Sequence, residues 1–310
     1  MTFTLKNETF VVFGGTGFLG HYVIQHLAQL GARVRVVTRG HHDPRSLTTM
    51  GKAGQVAYIQ GSLEDKLFVT TVLKGCQGVV NLMGILFEKK VSFNTVHEVY
   101  PSHMAKESHE LGIKKFIHVS ALGACLESDS LYLKSKALGE KAVFEAFPAA
   151  TCLRPSVIFG PEDDFFNRFA KLACLSPYVP VINKETLFQP VYVNDVASAI
   201  IKCLSLDTAS GQTYELGGPE VLSFNDLMTT LLTEIKRKNK IIELPRWMTT
   251  LLCFISQFLP IPLLTFDQRR MLQKNNTVSQ KALTLQNLSI SPTPLDAIIP
   301  SYLERYRPNF

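Results

Sequence analysis

The chain has 310 residues and a mass of 34.6 kDa, with 46% apolar and 19% charged side chains. That length and usage exclude a mini-protein, a long multidomain array and a disordered chain. The formal charge is only +6, and residues 231–275 hold eight Lys/Arg against three acids, a local +5 that leaves +1 for the remainder. A nucleic-acid binder spreads basic charge over a wider face, so no nucleic-acid partner is expected.

Short apolar runs alternate with helix-period stretches through the first half, which predicts a parallel sheet flanked by helices. Strands are expected at Thr9–Phe13, Arg33–Thr38, Val56–Gln60, Gly78–Met83, Lys115–Ser120 and Ala150–Arg154. Between the first two, Phe18, Leu19, Tyr22, Val23, His26, Leu27 and Leu30 form one helical stripe that Gly31 ends. Further on, a short strand at Gln189–Val193, a helix at Asp195–Leu204 and a strand at Thr213–Leu216 are expected. From Ser223 the pattern is mostly helical, punctuated by Pro245, Pro260, Pro262, Pro292, Pro294 and Pro300. The predicted architecture is α/β, a Rossmann-type doubly wound parallel sheet with a smaller, mostly helical C-terminal lobe. Residues 1–160, completed by about 187–215, would form the dinucleotide domain, and 161–186 with 216–310 the lobe.

The six cysteines lie 22 to 50 residues apart and the eight histidines include no His-x-x-x-His pair, so no metal site is expected. The thiols read as buried and reduced. The N-terminus, with Lys6 and Glu8 leading straight into a strand, reads as neither a secretory signal nor an Arg-rich import leader, so a reducing compartment is expected.

Gly14-Gly15-Thr16-Gly17-Phe18-Leu19-Gly20 joins the first strand to the first helix, with glycines at 14, 17 and 20. Gly14 permits a tight turn, Gly17 lets a pyrophosphate approach the backbone, and Gly20 allows close helix–strand packing. The helix N-terminus adds free N–H groups and partial positive charge. At the end of the second strand a fold preferring NAD places an acid, whereas this chain reads Thr38-Arg39-Gly40. Arg39 can pair with a 2′-phosphate, with Arg45 as a second contact, which predicts NADP(H) over NAD(H); the plainer reading of Arg39 is a solvated surface residue.

Tyr132 and Lys136 stand four residues apart, on one helix face, and Ser120 closes a strand twelve residues earlier at the carboxyl edge of the sheet. The three suit hydride transfer. The phenol gives or takes a proton at a carbinol or carbonyl oxygen, Ser120 bonds that oxygen, and Lys136 would favour the phenolate. The plainer reading has Tyr132 packed at the sheet edge and Lys136 solvated or holding only a ribose.

With these residues, the chain resembles the extended and atypical short-chain dehydrogenase/reductase superfamily. The resemblance extends through Asn81-Leu82-Met83-Gly84, Leu153-Arg154-Pro155-Ser156-Val157-Ile158-Phe159-Gly160 and Gln189 to Ala197. Within it the chain is most similar to the family of NADPH-binding accessory subunits of respiratory complex I and their bacterial relatives. That narrower resemblance rests on Lys115 to Ser120, Ser135 to Lys141, Gln268-Arg269-Arg270-Met271-Leu272 and Ile299 to Pro308. It implies a held NADPH without implying turnover. The implied cofactor shell is Gly14, Thr16, Gly17, Phe18, Leu19, Gly20, Thr38, Arg39, Gly61, Ser62, Leu82, Met83, Gly84, Tyr132, Lys136, Pro155 and Ser156. Two positions depart from the family pattern. Gly61-Ser62 stands where many relatives have Gly-Asp, and His97 where active members carry a proton-relay Asn, with Asn94 one turn earlier. His97 could still relay a proton through water.

In the lobe, Trp247, Met248, Leu251, Leu252, Phe254, Ile255, Phe258 and Leu259 form one helical face opposite Thr249, Thr250, Ser256 and Gln257, too short to span a bilayer. Lys236, Arg237, Lys238 and Lys240 precede it, so the 236–259 stretch is expected to adhere to an anionic membrane surface. The alternative is that the apolar face covers the substrate cleft. Two functions follow. One is an accessory or assembly subunit of respiratory complex I or of membrane quinone machinery, on the cytoplasmic face of a bacterial inner membrane or the matrix side in a mitochondrion. The other is an NADP-dependent oxidoreductase or epimerase of a hydroxylated lipid, quinone precursor or nucleotide-sugar.

Overall fold

A computed structural model describes residues 4–40, 50–259 and 262–308. Seven strands, β1 (Thr9–Phe13), β2 (Arg33–Thr38), β3 (Val56–Gln60), β4 (Gly78–Asn81), β5 (Lys115–Val119), β6 (Thr151–Pro155) and β11 (Thr213–Leu216), form one sheet in the order β11-β6-β5-β4-β1-β2-β3. Every pairing in it is parallel. Strand order reverses between β1 and β4, which opens a crevice at their carboxyl ends.

Because side chains alternate along a strand, β1 feeds two cores. Phe10 and Val12 join α1 (Phe18–Gln29) and α6 (Val193–Ser205) on one face, while Val11 and Phe13 join α2 (Lys66–Leu73) and α3 (Tyr100–Glu110) on the other. On that second face α4 (Leu131–Ala146) lies beside α3. A third cluster, with Phe159, Phe166, Leu227, Leu231, Ile299 and Leu303, forms the lobe core. It is built by α5 (Phe165–Leu175), α7 (Phe224–Glu234) and α10 (Ile299–Leu303).

Several expected elements shift. β4 ends at Asn81 and β5 at Val119, because the next residues turn to line the crevice. The single strand expected over Gln189–Val193 is instead β9 (Leu187–Phe188) and β10 (Val191–Tyr192), with Pro190 breaking it and α6 already starting at Val193. The lobe also contains strands that its helical pattern hid. β8 (Tyr178–Val181) pairs with β13 (Lys240–Glu243), β9 with β12 (Leu222–Ser223), and β10 with β7 (Ile158–Phe159). Lys240, read as part of a basic helix flank, therefore stands on a strand. Four cysteines are buried, but Cys125 and Cys174 are exposed, against expectation; all six are free.

Candidate functional site: the crevice at the strand-order reversal

The glycine turn meets the β4 turn across the crevice. Gly14 has φ +75°, a left-handed conformation, and a Cβ there would also come to 3.1 Å from the Leu82 carbonyl carbon. A Cβ on Gly20 would lie 2.4 Å from the Gly15 oxygen, so α1 can start this close to the strand only with glycine there. Gly15, outside the triplet, is held by Val36 and Ile24 in the same way. Thr16 is half-buried in the turn, Leu19 is buried in the core, and the Phe18 ring lies under Gly160. The N-cap of α1 is Gly17, with no side-chain cap and no acid in the first turn.

That combination fits a pyrophosphate. The backbone can be approached closely, the leading N–H groups take no side-chain acceptor, and no carboxylate opposes an anion. Thr38 is buried at the end of β2, Arg39 beside it is exposed, and Arg45 lies outside the described residues. Gly61 packs under the Phe68 ring, and Ser62 caps the turn to Glu64. The departure at Gly61-Ser62 is thus answered locally by packing.

At the inner end of the crevice no hydrogen bond joins the three reactive candidates. Ser120 is 4% exposed and its hydroxyl has no hydrogen-bond partner among the described residues, an orphan that a ligand oxygen would satisfy. Lys136 is 3% exposed, and its ammonium donates to the Val119 carbonyl at 3.2 Å and the Met83 carbonyl at 3.3 Å. Burial lowers its pKa to about 8. The Gly84 backbone leaves space against this ammonium that a Cβ would crowd to 3.2 Å.

Half-buried Tyr132 sets its ring edge-on to His97 and Phe93. Burial first, and the Asp267 carboxylate second, push its phenol up to about 12. The Lys136 ammonium donates to the two backbone carbonyls and not to this phenol.

His97, which the sequence left able to relay a proton through water, is enclosed by protein groups. It sits in a π turn over Thr95–Val99 that precedes α3, fully buried. Its Nε2 accepts from the Ile85 N–H at 3.0 Å, so Nδ1 carries the proton and donates to Ser135 Oγ at 2.8 Å. Ser135 in turn donates to the Tyr132 carbonyl. Both ring nitrogens are occupied, and burial with the nearby Lys136 charge lowers the imidazole pKa to about 3. Gly139 makes room for this turn, since a Cβ would strike the His97 carbonyl. Asn94 points elsewhere, to Glu98 at 2.6 Å.

Other residues complete the crevice. Buried Asn81 accepts from the Met83 N–H and meets His118 Nδ1 at 3.0 Å, which orients the Leu82–Met83 turn. Glu140, one turn beyond Lys136, holds Arg154 through both carboxylate oxygens and pins α4 to β6. At the Pro155–Ser156 turn, the Ser156 hydroxyl donates to Asn276 Oδ1 at 2.6 Å, so its side chain faces the lobe. Asp267 takes up the amino end of α4. Asn81 lay within a recognised stretch, but Asn276 and Asp267 come from more than 100 residues away in sequence.

The lobe helix leaves its apolar face uncovered. α8 (Arg246–Ser256) buries Thr249 (2% exposed), Cys253 and Ser256, and exposes Trp247 (68%), Leu251, Phe254 (57%) and Ile255. Phe258 and Leu263 continue the exposed apolar face. Of the basic flank, Lys236 and Lys238 are exposed, whereas Arg237 is half-buried and donates to the Tyr306 carbonyl. No helix among the described residues is long and apolar enough to cross a membrane.

Comparison with known proteins agrees with this geometry. Residues 10–217 match the NAD dependent epimerase/dehydratase family. Subunit 9 of the NADH dehydrogenase [ubiquinone] 1 alpha subcomplex from Arabidopsis thaliana is 36% identical over 96% of this chain and 79% of its own length. Its Mus musculus counterpart is 33% identical over 96% and 80%. Among solved structures, a Citrobacter triphenylmethane reductase superposes with a TM-score of 0.76 over 96% of this chain and 99% of that one, at 20% identity, a likeness of fold. The chain therefore belongs to the NAD dependent epimerase/dehydratase family of short-chain dehydrogenase/reductase folds, among the relatives of subunit 9 of the complex I alpha subcomplex.

Proposed function

We propose that this protein is an NADPH-carrying accessory or assembly subunit of respiratory complex I or a related membrane quinone complex, seated peripherally on the membrane. The observation that carries the reading is α8, which turns its aromatic and aliphatic face outward and buries its small polar one. Exposing Trp247, Phe254 and Phe258 leaves apolar surface in water, a cost removed when that face meets a partner or lipid. The exposed Lys236 and Lys238 precede it and suit an anionic headgroup layer.

The nucleotide half of the reading rests on the open amino end of α1, the glycine cradle and the orphan Ser120 hydroxyl. Residues 1–160 with 187–215 act as the dinucleotide domain, and 161–186 with 216–310 as the lobe that meets the partner. Arg39, with no acid at the end of β2, favours a 2′-phosphate. When bound, NADPH supplies a hydride equivalent. Lys136 would exchange its backbone carbonyls for ribose hydroxyls, and Tyr132 and Ser120 would stand over the nicotinamide. The oxidoreductase reading has in its favour the buried, unpaired Ser120 Oγ just after β5.

Two measurements test the proposal. Isothermal titration should give tighter binding of NADPH than NADH, with Arg39→Glu narrowing or reversing the order; equal or stronger NADH binding to the unaltered protein overturns the assignment. Trp247 is the single tryptophan, so its emission should shift to the blue on anionic vesicles or isolated respiratory membranes, and Lys236→Glu with Lys238→Glu should weaken that shift. Arg237 is left intact because it holds Tyr306. An emission unmoved by vesicles and membranes alike, at low salt, favours a free oxidoreductase.

A further inference from the structure

We propose that Asp267, a lobe residue, is the positioning residue for Tyr132, holding the amino end of α4 and thereby the phenol at the crevice. Asp267 lies in the short helix α9 (Phe266–Met271), which Thr265 and Gln268 start with a capping box. Its Oδ1 accepts from the Leu131 N–H at 2.6 Å, and its Oδ2 accepts from the Tyr132 N–H at 3.1 Å and the Ser130 hydroxyl at 2.7 Å. Ser130 Oγ in turn accepts from the Leu133 N–H at 3.2 Å. A carboxylate from the other end of the chain thus collects the leading donors of the helix that carries Tyr132 and Lys136, where negative charge is also favoured by the helix dipole.

α9 is anchored on both sides. Arg270 donates to the Asp129 carbonyl at 3.3 Å, and Arg269 donates to Thr250 Oγ1 at 2.6 Å on α8. Further along the same strap, Asn276 accepts from the Ser156 hydroxyl and donates to the Leu122 carbonyl at 3.3 Å. The segment 265–276 therefore touches the turns that follow β5 and β6 as well as Tyr132. It also connects them to the helix bearing the exposed apolar face. The role given to Tyr132 rests on the proposed dinucleotide reading; the contact does not.

The test compares wild type, Asp267→Asn and Asp267→Ala in the full chain. Asn keeps an acceptor and removes the charge; Ala removes both. The first readout is the Tyr132 ring, followed by NMR in protein labelled at tyrosine Cζ. The ionisable groups facing it are His97 from the π turn, Lys136 one turn on and Asp267. Loss of the Asp267 charge should lower the phenol midpoint by at least about 0.5 pH unit in both variants.

The second readout is amide exchange. Leu131, Tyr132 and Leu133 should exchange about tenfold faster in Asp267→Ala while sheet amides hold. The third is NADPH affinity, which should fall about tenfold in Asp267→Ala and less in Asp267→Asn. An unchanged Tyr132 midpoint, or exchange that rises uniformly through the sheet, overturns the assignment. If Asp267→Ala does not fold, the midpoint in Asp267→Asn decides alone. A moved midpoint in a protein that binds no NADPH keeps the Asp267 assignment and sinks the dinucleotide reading; NADPH binding with an unmoved midpoint does the reverse.

Discussion

Two helices of the sheet domain begin in opposite ways. α1 starts on Gly17 with no side-chain cap and no acid in its first turn. α4 starts on Ser130, with Asp267 added from the lobe, so that Leu131, Tyr132 and Leu133 all donate to side-chain oxygens. One end keeps its positive potential free for an anion, while the other has it neutralised by the protein's own carboxylate. A helix terminus is thus a general resource, and what fills it decides whether it binds a ligand or fixes a side chain.

The largest effect is expected from making α1 resemble α4. Gly17→Asp places a carboxylate at an N-cap whose φ of −85° any residue adopts. The helix gains little, because a Cβ at this position comes to 3.3 Å from the Gly14 oxygen, and the nucleotide-free protein should stay within about 0.5 kcal/mol of wild type. Dinucleotide affinity should fall by about 100-fold or more, because the new charge opposes the pyrophosphate. Calorimetric melting and titration on the same sample separate the two. Retained affinity would show that the open end is not the phosphate seat.

Lys136→Met probes the cost of the reactive end. An ammonium whose pKa is lowered to about 8 destabilises the fold at neutral pH, since the unfolded chain holds that proton more readily. Replacement should raise nucleotide-free stability at pH 7 by about 2 kcal/mol and remove the rise in wild-type stability between about pH 8 and 10.5. NADPH binding should weaken at the same time, a trade of stability against function. Denaturant titrations at pH 7 and pH 10 measure it.

Acid acts in the opposite pH range. His97 and His118 both have imidazole pKa values lowered to about 3, mainly by burial. The unfolded chain protonates at its ordinary value near 6.5 while the fold keeps both rings neutral. Stability is therefore full above that pH and falls as pH drops towards 3. For one ring the loss at pH 4 is on the order of 3 kcal/mol. His97→Asn should shallow the slope between pH 6.5 and 4; an unchanged slope would mean that the ring is not held neutral.

Much of the sheet domain was legible because its signals are local. Apolar runs set β1, β2 and β3 at their observed bounds, and the stripe from Phe18 predicted α1 to within a residue of its end. Glycine positions carried the crevice because contacts such as Gly20 with Gly15 lie within one turn. The lobe was harder. A strand of four residues such as Lys240–Glu243, paired with Tyr178–Val181, exists through its partner and not through its own composition.

By itself, the amino-acid sequence determined the order of strands and helices in the sheet domain, the glycine turn, the placing of Ser120 at a strand end and the four-residue step from Tyr132 to Lys136. Each depends on neighbours along the chain, through steric limits and side-chain period. Tertiary structure alone decided which face of α8 is turned inward, because periodicity defines two faces and only packing chooses between them. Here Thr249, Cys253 and Ser256 lie inward, and the aromatic side is left out. It also decided the state of the reactive groups. The Tyr132 phenol answers to burial and to an aspartate 135 residues away, and the Lys136 ammonium to two backbone carbonyls. Electrostatic energies depend on distance and dielectric in space, and neither is written in sequence separation.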